Sequence, residues 1–150
     1  SDEPMFDIAM AAYNTGNFIR DSIESVISQT YTNWHIYIID DCSKDDTVDK
    51  IKKLVKKWNI KDKCTLYKTN ANSGYGTALK WAIESGNGEL VAILDSDDIF
   101  SSDKALQINV DKHKALPDIS MIYSDYSDIT NKSILVKSRQ LKENESFWEV

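Results

Sequence analysis

The sequence predicts an α/β domain: a doubly wound, mainly parallel sheet with helices on both faces. Three observations predict it. Short apolar runs alternate along the chain with segments whose apolar residues recur at helical spacing, the order of a sheet wound by right-handed crossovers. The runs are apolar almost throughout instead of alternating with polar residues, as in strands buried on both faces. Three of them break into polar clusters at their carboxyl ends, Tyr13-Asn14, Asp40-Asp41 and Asp95-Ser96-Asp97-Asp98. That is the edge at which open α/β sheets bind ligands.

The elements follow in order. Phe6 to Ala12 is a strand that stops at the Asn- and Gly-containing turn Tyr13-Asn14-Thr15-Gly16-Asn17. Ile19, Ile23, Val26 and Ile27 form the apolar stripe of a helix that ends near Gln29-Thr30. Trp34 to Ile39 is the second strand, running into Asp40-Asp41-Cys42-Ser43. Asp45, Asp46 and Thr47 offer N-caps and first-turn acids for a helix whose inner stripe is Val48, Ile51, Leu54, Val55 and Trp58. The lysines of that helix read as its solvated face. Cys64 to Tyr67 is a short third strand. The polar turn 70–77 leads into a helix carrying Ala78, Leu79, Ala82 and Ile83, stopped by Gly86-Asn87-Gly88. Leu90 to Leu94 is the fourth strand and Asp103 to Lys114 a helix, with Pro117 after it. Ile119 to Tyr123 is a fifth strand ending at Ser124-Asp125. Beyond it the pattern weakens, with an extended Ile134-Leu135-Val136 and a tail ending at Phe147-Trp148-Glu149-Val150.

The chain has 150 residues, 41% hydrophobic and 28% charged, an ordinary globular composition long enough for one domain with a real core. The expected domain is therefore 1–150, with its core at about 6–125. The formal charge of -6 argues against a nucleic-acid partner, whose signature is a basic face. No apolar run approaches the roughly 20 residues that span a bilayer. Cys42 and Cys64 lack metal-ligand spacing and read as reduced thiols of a cytosolic protein. His35, inside a strand, and His113, inside a helix, read as structural or surface residues.

The acidic run after the fourth strand carries the chemistry. Clustered carboxylates repel one another unless a cation compensates, and oxygen ligands suit hard cations such as Mg²⁺ or Mn²⁺. Alone, Asp-Ser-Asp-Asp reads more readily as a solvated turn or a helix cap. Three polar strand ends in one parallel sheet change that reading. If strand one lies between strands two and four, the winding reverses beside strand one and all three clusters line one crevice. A carboxylate there can accept the imide N–H of a uracil ring, Tyr13 can pack against a base, and a cation can neutralise a diphosphate. A phosphoacceptor receiver domain fits poorly, because strand one ends in Tyr-Asn and strand three in Lys68-Thr69. A dinucleotide-binding domain lacks its Gly-rich turn after strand one.

Ala12-Tyr13-Asn14, the run Ser25 to Trp34, Ile38 to Thr47 and Leu94-Asp95-Ser96-Asp97-Asp98 together resemble the inverting glycosyltransferases of family 2 in order and spacing. The resemblance covers roughly residues 6–125 and implies the GT-A fold, a Rossmann-like architecture. It implies a nucleotide-sugar donor, usually a UDP-sugar, and a divalent metal, Mn²⁺ or Mg²⁺, held through an Asp-x-Asp motif. Carried over by position, Ala12, Tyr13, Asn14, Asp40, Asp41, Asp95 and Ser96 would form the nucleotide-sugar site. Tyr13 would lie near the base, Asp41 would bind the base imide with Asp40 beside it, and Asp95 would face the ribose or the donor sugar. Asp97 would be the chief metal ligand, with Asp98 close by. Cys42-Ser43 stands where the family usually has Gly-Ser, and Ala11-Ala12 where Pro-Thr is common.

The family's catalytic base lies in a later, acceptor-binding half, and nothing after Asp125 matches that half. Asp125 and Asp128 are poorly positioned for the role, so no catalytic base is assigned and the chain reads as the donor-binding half of a longer enzyme. That enzyme would serve polysaccharide or cell-surface glycan synthesis, with a glycan or lipid-linked acceptor. The expected location is the cytoplasm, with peripheral association at the inner face of the membrane compatible with it. The alternative is a non-catalytic nucleotide-binding regulatory domain or pseudoenzyme.

Overall fold

The structure is a computed structural model that describes residues 3–115, 121–125 and 133–138. Pro117, Ile119, Ser120, Asp128 and the tail at Phe147–Val150 lie outside the described residues. The elements run β1 (Phe6–Ala12), α1 (Ile19–Ile27), β2 (Trp34–Asp40), α2 (Thr47–Lys57), a 3-10 turn (Lys61–Lys63), β3 (Cys64–Lys68), α3 (Tyr75–Ser85), β4 (Leu90–Ile93), α4 (Ala105–Ala115), β5 (Met121–Asp125) and β6 (Ser133–Ser138).

The sheet order is β3-β2-β1-β4-β6-β5. Strands β1 to β4 are mutually parallel where they pair, and β1 sits between β2 and β4. The chain winds outward from β1 to β3, then crosses back to β4 on the other side, so the winding reverses beside β1, as the sequence predicts. The extended segment 134–136 is β6, which inserts between β4 and β5 and pairs antiparallel with both. No local pattern announces that insertion, because it is a pairing between distant parts of the chain.

Alternation along β1 divides the core. Phe6, Ile8, Met10 and Ala12 face one way and pack with Ile19, Ile23 and Val26 of α1, Ile51 and Leu54 of α2 and Leu106 and Val110 of α4. Ala9 and Ala11 face the other way and pack with Ala78 and Ala82 of α3. Both faces are covered, which is why β1 is buried along its whole length. The small residues on the α3 side let that helix approach the sheet closely. Asp7 is the polar exception in β1: its buried carboxylate accepts the Gly88 N–H at 3.0 Å.

One helix start, that of α3, differs from the sequence reading, and at α2 the structure selects among the caps that the sequence offers. Helix α3 begins at Tyr75, inside the stretch read as a turn, because Gly74 adopts a left-handed φ of 93° and turns the chain into the helix three residues early. At α2 the residue preceding the helix, Asp46, makes no side-chain cap. Asp45 does the capping instead, its Oδ1 accepting the Thr47 N–H at 3.0 Å.

Candidate functional site

The three polar strand ends meet where the fold reverses. A cleft of about 300 Å³ opens at the carboxyl edge of β1, β2 and β4. Ala12 and Tyr13 from β1, Asp41 from β2 and Asp95, Ser96 and Asp97 from β4 all line it. Asn14, Asp40 and Asp98 are outside that lining.

The loops bearing these residues are cross-tied. Asn14 is left-handed, with φ 51°, and its N–H donates to Ser43 Oγ at 2.9 Å while its Oδ1 accepts the Lys44 N–H at 2.8 Å. Ser43 Oγ in turn donates to Asp40 Oδ1 at 2.6 Å, and the Ser43 N–H to Asp40 Oδ2 at 2.9 Å. Asp40 is fully buried, and the partners of its carboxylate belong to the turn that follows it. Thr15 joins β1 to both neighbours: its N–H donates to Thr47 Oγ1 at 3.0 Å and its hydroxyl to Ser96 Oγ at 2.9 Å. Sequence reading missed Thr15, whose one signal is a hydroxyl in a turn between two sheet neighbours.

Asp41 is held from the opposite side of the sheet. Its Oδ1 accepts the Ser73 N–H at 2.8 Å, the Ser73 hydroxyl at 2.6 Å and the Thr69 hydroxyl at 3.2 Å; its Oδ2 accepts the Gly74 N–H at 2.8 Å. Burial raises the pKa of this carboxyl, but the donors from Ser73, Gly74 and Thr69 outweigh it and hold the group below the ordinary carboxylate range. Oδ2 takes one donor against its two lone pairs, so it keeps acceptor capacity in the cleft that Asp41 lines.

Tyr75, at the start of α3, lines the cleft along with Tyr13, and its hydroxyl donates to Asp95 Oδ1. Both rings are about half exposed, 44% and 55%, which leaves aromatic surface open to a ligand. Burial, the bond to Asp95 and the charges of Asp95, Asp97 and Asp98 raise the Tyr75 pKa, so its proton stays in place to serve that bond. Sequence reading did not single out Tyr75, because an aromatic residue in a polar turn gives no local sign of reaching another strand.

Asp95, Asp97 and Asp98 each present a carboxylate oxygen, and these lie within 4.8 Å of one another. The turn is closed by the Asp98 N–H donating to the Asp95 carbonyl at 3.0 Å. Three converging carboxylates offer the hard oxygen donors that Mg²⁺ and Mn²⁺ select, so the residues fit such a cation. His35 and His113 stand apart from the cleft. His35 Nε2 lies 2.7 Å from Thr65 Oγ1 and its ring stacks on Tyr37, while His113 faces Glu89.

Comparison with known proteins places this arrangement. The model of glycosyl transferase family 2 matches residues 7–147. The UDP-Glc:alpha-D-GlcNAc-diphosphoundecaprenol beta-1,3-glucosyltransferase WfgD of Escherichia coli is 36% identical over 137 residues, 91% of this chain and 51% of that protein. The putative teichuronic acid biosynthesis glycosyltransferase TuaG of Bacillus subtilis (strain 168) is 34% identical over 102 residues, 68% of this chain and 39% of that protein. The chain thus spans about half the length, or less, of these relatives. Among solved structures, the mannosyltransferase PcManGT from Pyrobaculum calidifontis, in complex with GDP-Man and Mn²⁺, superposes with a TM-score of 0.77 at 18% identity, over 91% of this chain and 45% of that one. S. aureus TarS 1-349 in complex with UDP gives 0.65 at 24% identity, over 74% of this chain and 32% of that one. At these identities the two structures speak to the fold. With the family model covering nearly the whole chain, the protein belongs to glycosyltransferase family 2 and has its GT-A fold.

Proposed function

We propose that this chain is the donor-binding half of an enzyme that transfers a sugar from a nucleotide diphosphate, a UDP-sugar, to an acceptor hydroxyl with inversion. The observation that carries the reading is the cleft at the reversal of winding, lined by the ionised Asp41 after β2 and by Asp95 and Asp97 of the three-carboxylate cluster after β4. Tyr13 offers a ring to the base, Asp41 an acceptor to its imide N–H, and Asp95 and Ser96 polar groups to the ribose and sugar. Ala12 lines the cleft with them, while Asn14 and Asp40 hold the loops in place. Asp97 and Asp98, with Asp95, would hold Mn²⁺ or Mg²⁺. When bound, that cation neutralises charge on the diphosphate leaving group. The acceptor hydroxyl must lose its proton to a base in hydrogen-bonding reach as it attacks, and that base is assigned to the acceptor-binding half.

The names of the relatives support the wider role. WfgD is named for UDP-Glc and a diphosphoundecaprenol acceptor, and TuaG for teichuronic acid biosynthesis. We place this enzyme in cell-surface glycan synthesis on that basis, with a glycan or lipid-linked acceptor met at the inner face of the membrane. No helix among the described residues is long and apolar enough to cross a membrane, so contact with a lipid-linked acceptor would be peripheral for this part of the protein.

The test is calorimetry of UDP binding with Mn²⁺ and with EDTA, for the wild type and Asp97→Ala. Mn²⁺ should tighten UDP in the wild type, and Asp97→Ala should remove that gain while the fold survives, since an exposed Asp contributes little to packing. Equal UDP affinity with and without Mn²⁺ in the wild type would overturn the metal-dependent reading. A radiolabelled-donor assay with an acceptor panel then separates binding from transfer. The 150-residue chain should bind donor without acceptor-dependent turnover, and the full-length enzyme should turn over.

A further inference from the structure

The acidic turn is not held only by its own strand. Ser22, in the first turn of α1, is fully buried. Its hydroxyl lies 2.8 Å from the carbonyl of Ser96 and is also bonded to the carbonyl of Asp98. A hydroxyl carries one proton, so the two carbonyls share it in a three-centre bond. The pair of oxygens is thereby drawn together across Asp97 by a side chain that is not part of the cleft lining. Ser25 extends the seam: its hydroxyl donates to the Ser22 carbonyl at 2.7 Å and accepts the Phe100 N–H at 3.1 Å. Gln29, one turn further on, receives the Leu106 N–H at 3.1 Å and donates to the Ser102 carbonyl at 2.8 Å. Ser22, Ser25 and Gln29 therefore make a polar seam, buried at Ser22 and Gln29, beside the apolar stripe of Ile19, Ile23 and Val26, and the chain from Ser96 to Leu106 is hung on it.

We propose that Ser22 is a positioning residue for the cation site: by bonding the carbonyls on either side of Asp97 it fixes the backbone from which Asp97 and Asp98 project. The inference rests on the proposed donor- and metal-binding function of this cleft and deepens it. The physical case is one of reach. A carboxylate ligand is aimed by its backbone and by the groups that hold that backbone, and loss of a supporting partner outside the ligand set typically lowers metal affinity by roughly 10- to 100-fold. The turn is short, exposed at Asp97 and closed internally by a backbone bond from the Asp98 N–H to the Asp95 carbonyl. Thr15 and Tyr75 hold side chains of this turn, at Ser96 and Asp95, whereas Ser22 holds its backbone from outside, on a helix packed against the sheet. The nucleotide base side of the cleft hangs on different groups, Ser73 and Gly74, which Ser22 does not touch. Metal binding and metal-free nucleotide binding should therefore respond differently to its removal.

The experiment measures two affinities in the chain: Mn²⁺ in the presence of saturating UDP, and UDP in EDTA, with thermal melting alongside. Ser22→Ala should weaken Mn²⁺ by roughly tenfold or more and leave metal-free UDP within about twofold. Gln29→Ala is the control. It loosens the same segment further along, at Ser102 and Leu106, and should lower the melting temperature while sparing Mn²⁺ affinity. If Ser22→Ala does not fold, Ser22→Cys, which is somewhat bulkier and replaces the hydroxyl with a weak donor, should show the same selective loss. Equal weakening of Mn²⁺ by Ser22→Ala and Gln29→Ala, or a Ser22→Ala loss shared by metal-free UDP, would make the effect a general loosening and overturn the inference. Mn²⁺ affinity that Asp97→Ala abolishes and Ser22→Ala preserves would overturn it while leaving the proposed function standing. A wild type that gains nothing from Mn²⁺ would overturn both.

Discussion

Asp41→Asn separates base reading from loop anchoring, because the substitution changes acceptor chemistry at nearly constant shape. The wild-type carboxylate takes three donors on Oδ1 and one, from the Gly74 N–H, on Oδ2. Asparagine keeps one oxygen. With that oxygen turned to Ser73 and Thr69, the amide NH₂ faces the Gly74 N–H, donor against donor. One charge-assisted bond is lost in the free protein, a cost of roughly 1.5–3 kcal/mol. The same NH₂ now meets the imide N–H of uracil, so UDP binding loses a second interaction of similar size, about tenfold to a hundredfold in affinity. Absolute affinities mix the two effects, since a loosened loop weakens any nucleotide. A ratio does not. Cytosine presents an acceptor where uracil presents its imide N–H, so the amide that repels UDP accommodates CDP. Calorimetry of UDP and CDP with both proteins, in Mn²⁺, should show a wild type that prefers UDP and a variant in which the preference collapses by about tenfold or more. If stability falls as expected and the UDP-to-CDP ratio stays within about twofold, Asp41 anchors the loop and does not read the base.

Three further outcomes follow from the same geometry. Cys42 holds a left-handed φ of 65° with a side chain, at the position where the family usually has glycine. Cys42→Gly should leave stability unchanged or raise it by up to about 1 kcal/mol in chemical denaturation, as relieved strain exceeds the added freedom of the unfolded chain; a loss of that size would show the strain is absent. A Cβ on Gly88 would stand 2.8 Å from the Met5 carbonyl and 2.6 Å from Asp7 Oδ1, so Gly88→Ala should destabilise the β1–β4 edge by about 1–3 kcal/mol, read from the denaturation midpoint. Asp41 has a native pKa below its ordinary 3.8, so its contribution to stability is fully present above that value and lost as pH falls through the native one. The stability gap between wild type and Asp41→Asn should therefore be flat from neutral pH down to that range and shrink only below it; a gap already closing well above 3.8 would place the titration elsewhere.

The parts of this fold that were legible in the sequence are those that local patterning dictates. Continuous apolar runs marked β1, β2 and β4 because strands covered on both faces need no polar alternation. Their polar ends marked the edge of the cleft because strand direction in a parallel sheet puts all carboxyl ends together. What could not be read depends on contacts across the chain. Strand β6 enters between β4 and β5 from a segment whose own sequence does not name its neighbours. Tyr75 reaches Asp95 over 20 residues, and Ser22 reaches Ser96 over 74. Ser22, Ser25 and Gln29 did carry a signal, three polar residues at helical spacing beside an apolar stripe on a helix with a buried face. That signal says such groups must find partners, and only the structure says which.

The neighbouring aspartates at the end of β2 show how one physical rule divides two residues that look equivalent in sequence. Successive side chains of a strand point to opposite faces of the sheet. Ile36 and Ile38 belong to the core shared with α1, α2 and α4, while Ile39 belongs to the core under α3. Asp40 continues the first series, and its carboxylate is enclosed by the turn that joins β2 to α2, bonded to Ser43, which is itself bonded to Asn14. Asp41 continues the second, and it meets Ser73 and Gly74, the residues that lead into α3. The helix on that face packs through alanines and starts beside the cleft, so the carboxylate on its side keeps an opening that the one on the other side lacks. Exchange of the two roles would need the whole strand to slip by one residue, which would also turn Ile36, Ile38 and Ile39 to the wrong cores. The register that buries the isoleucines is therefore the same constraint that makes Asp40 scaffold and leaves Asp41 facing the cleft.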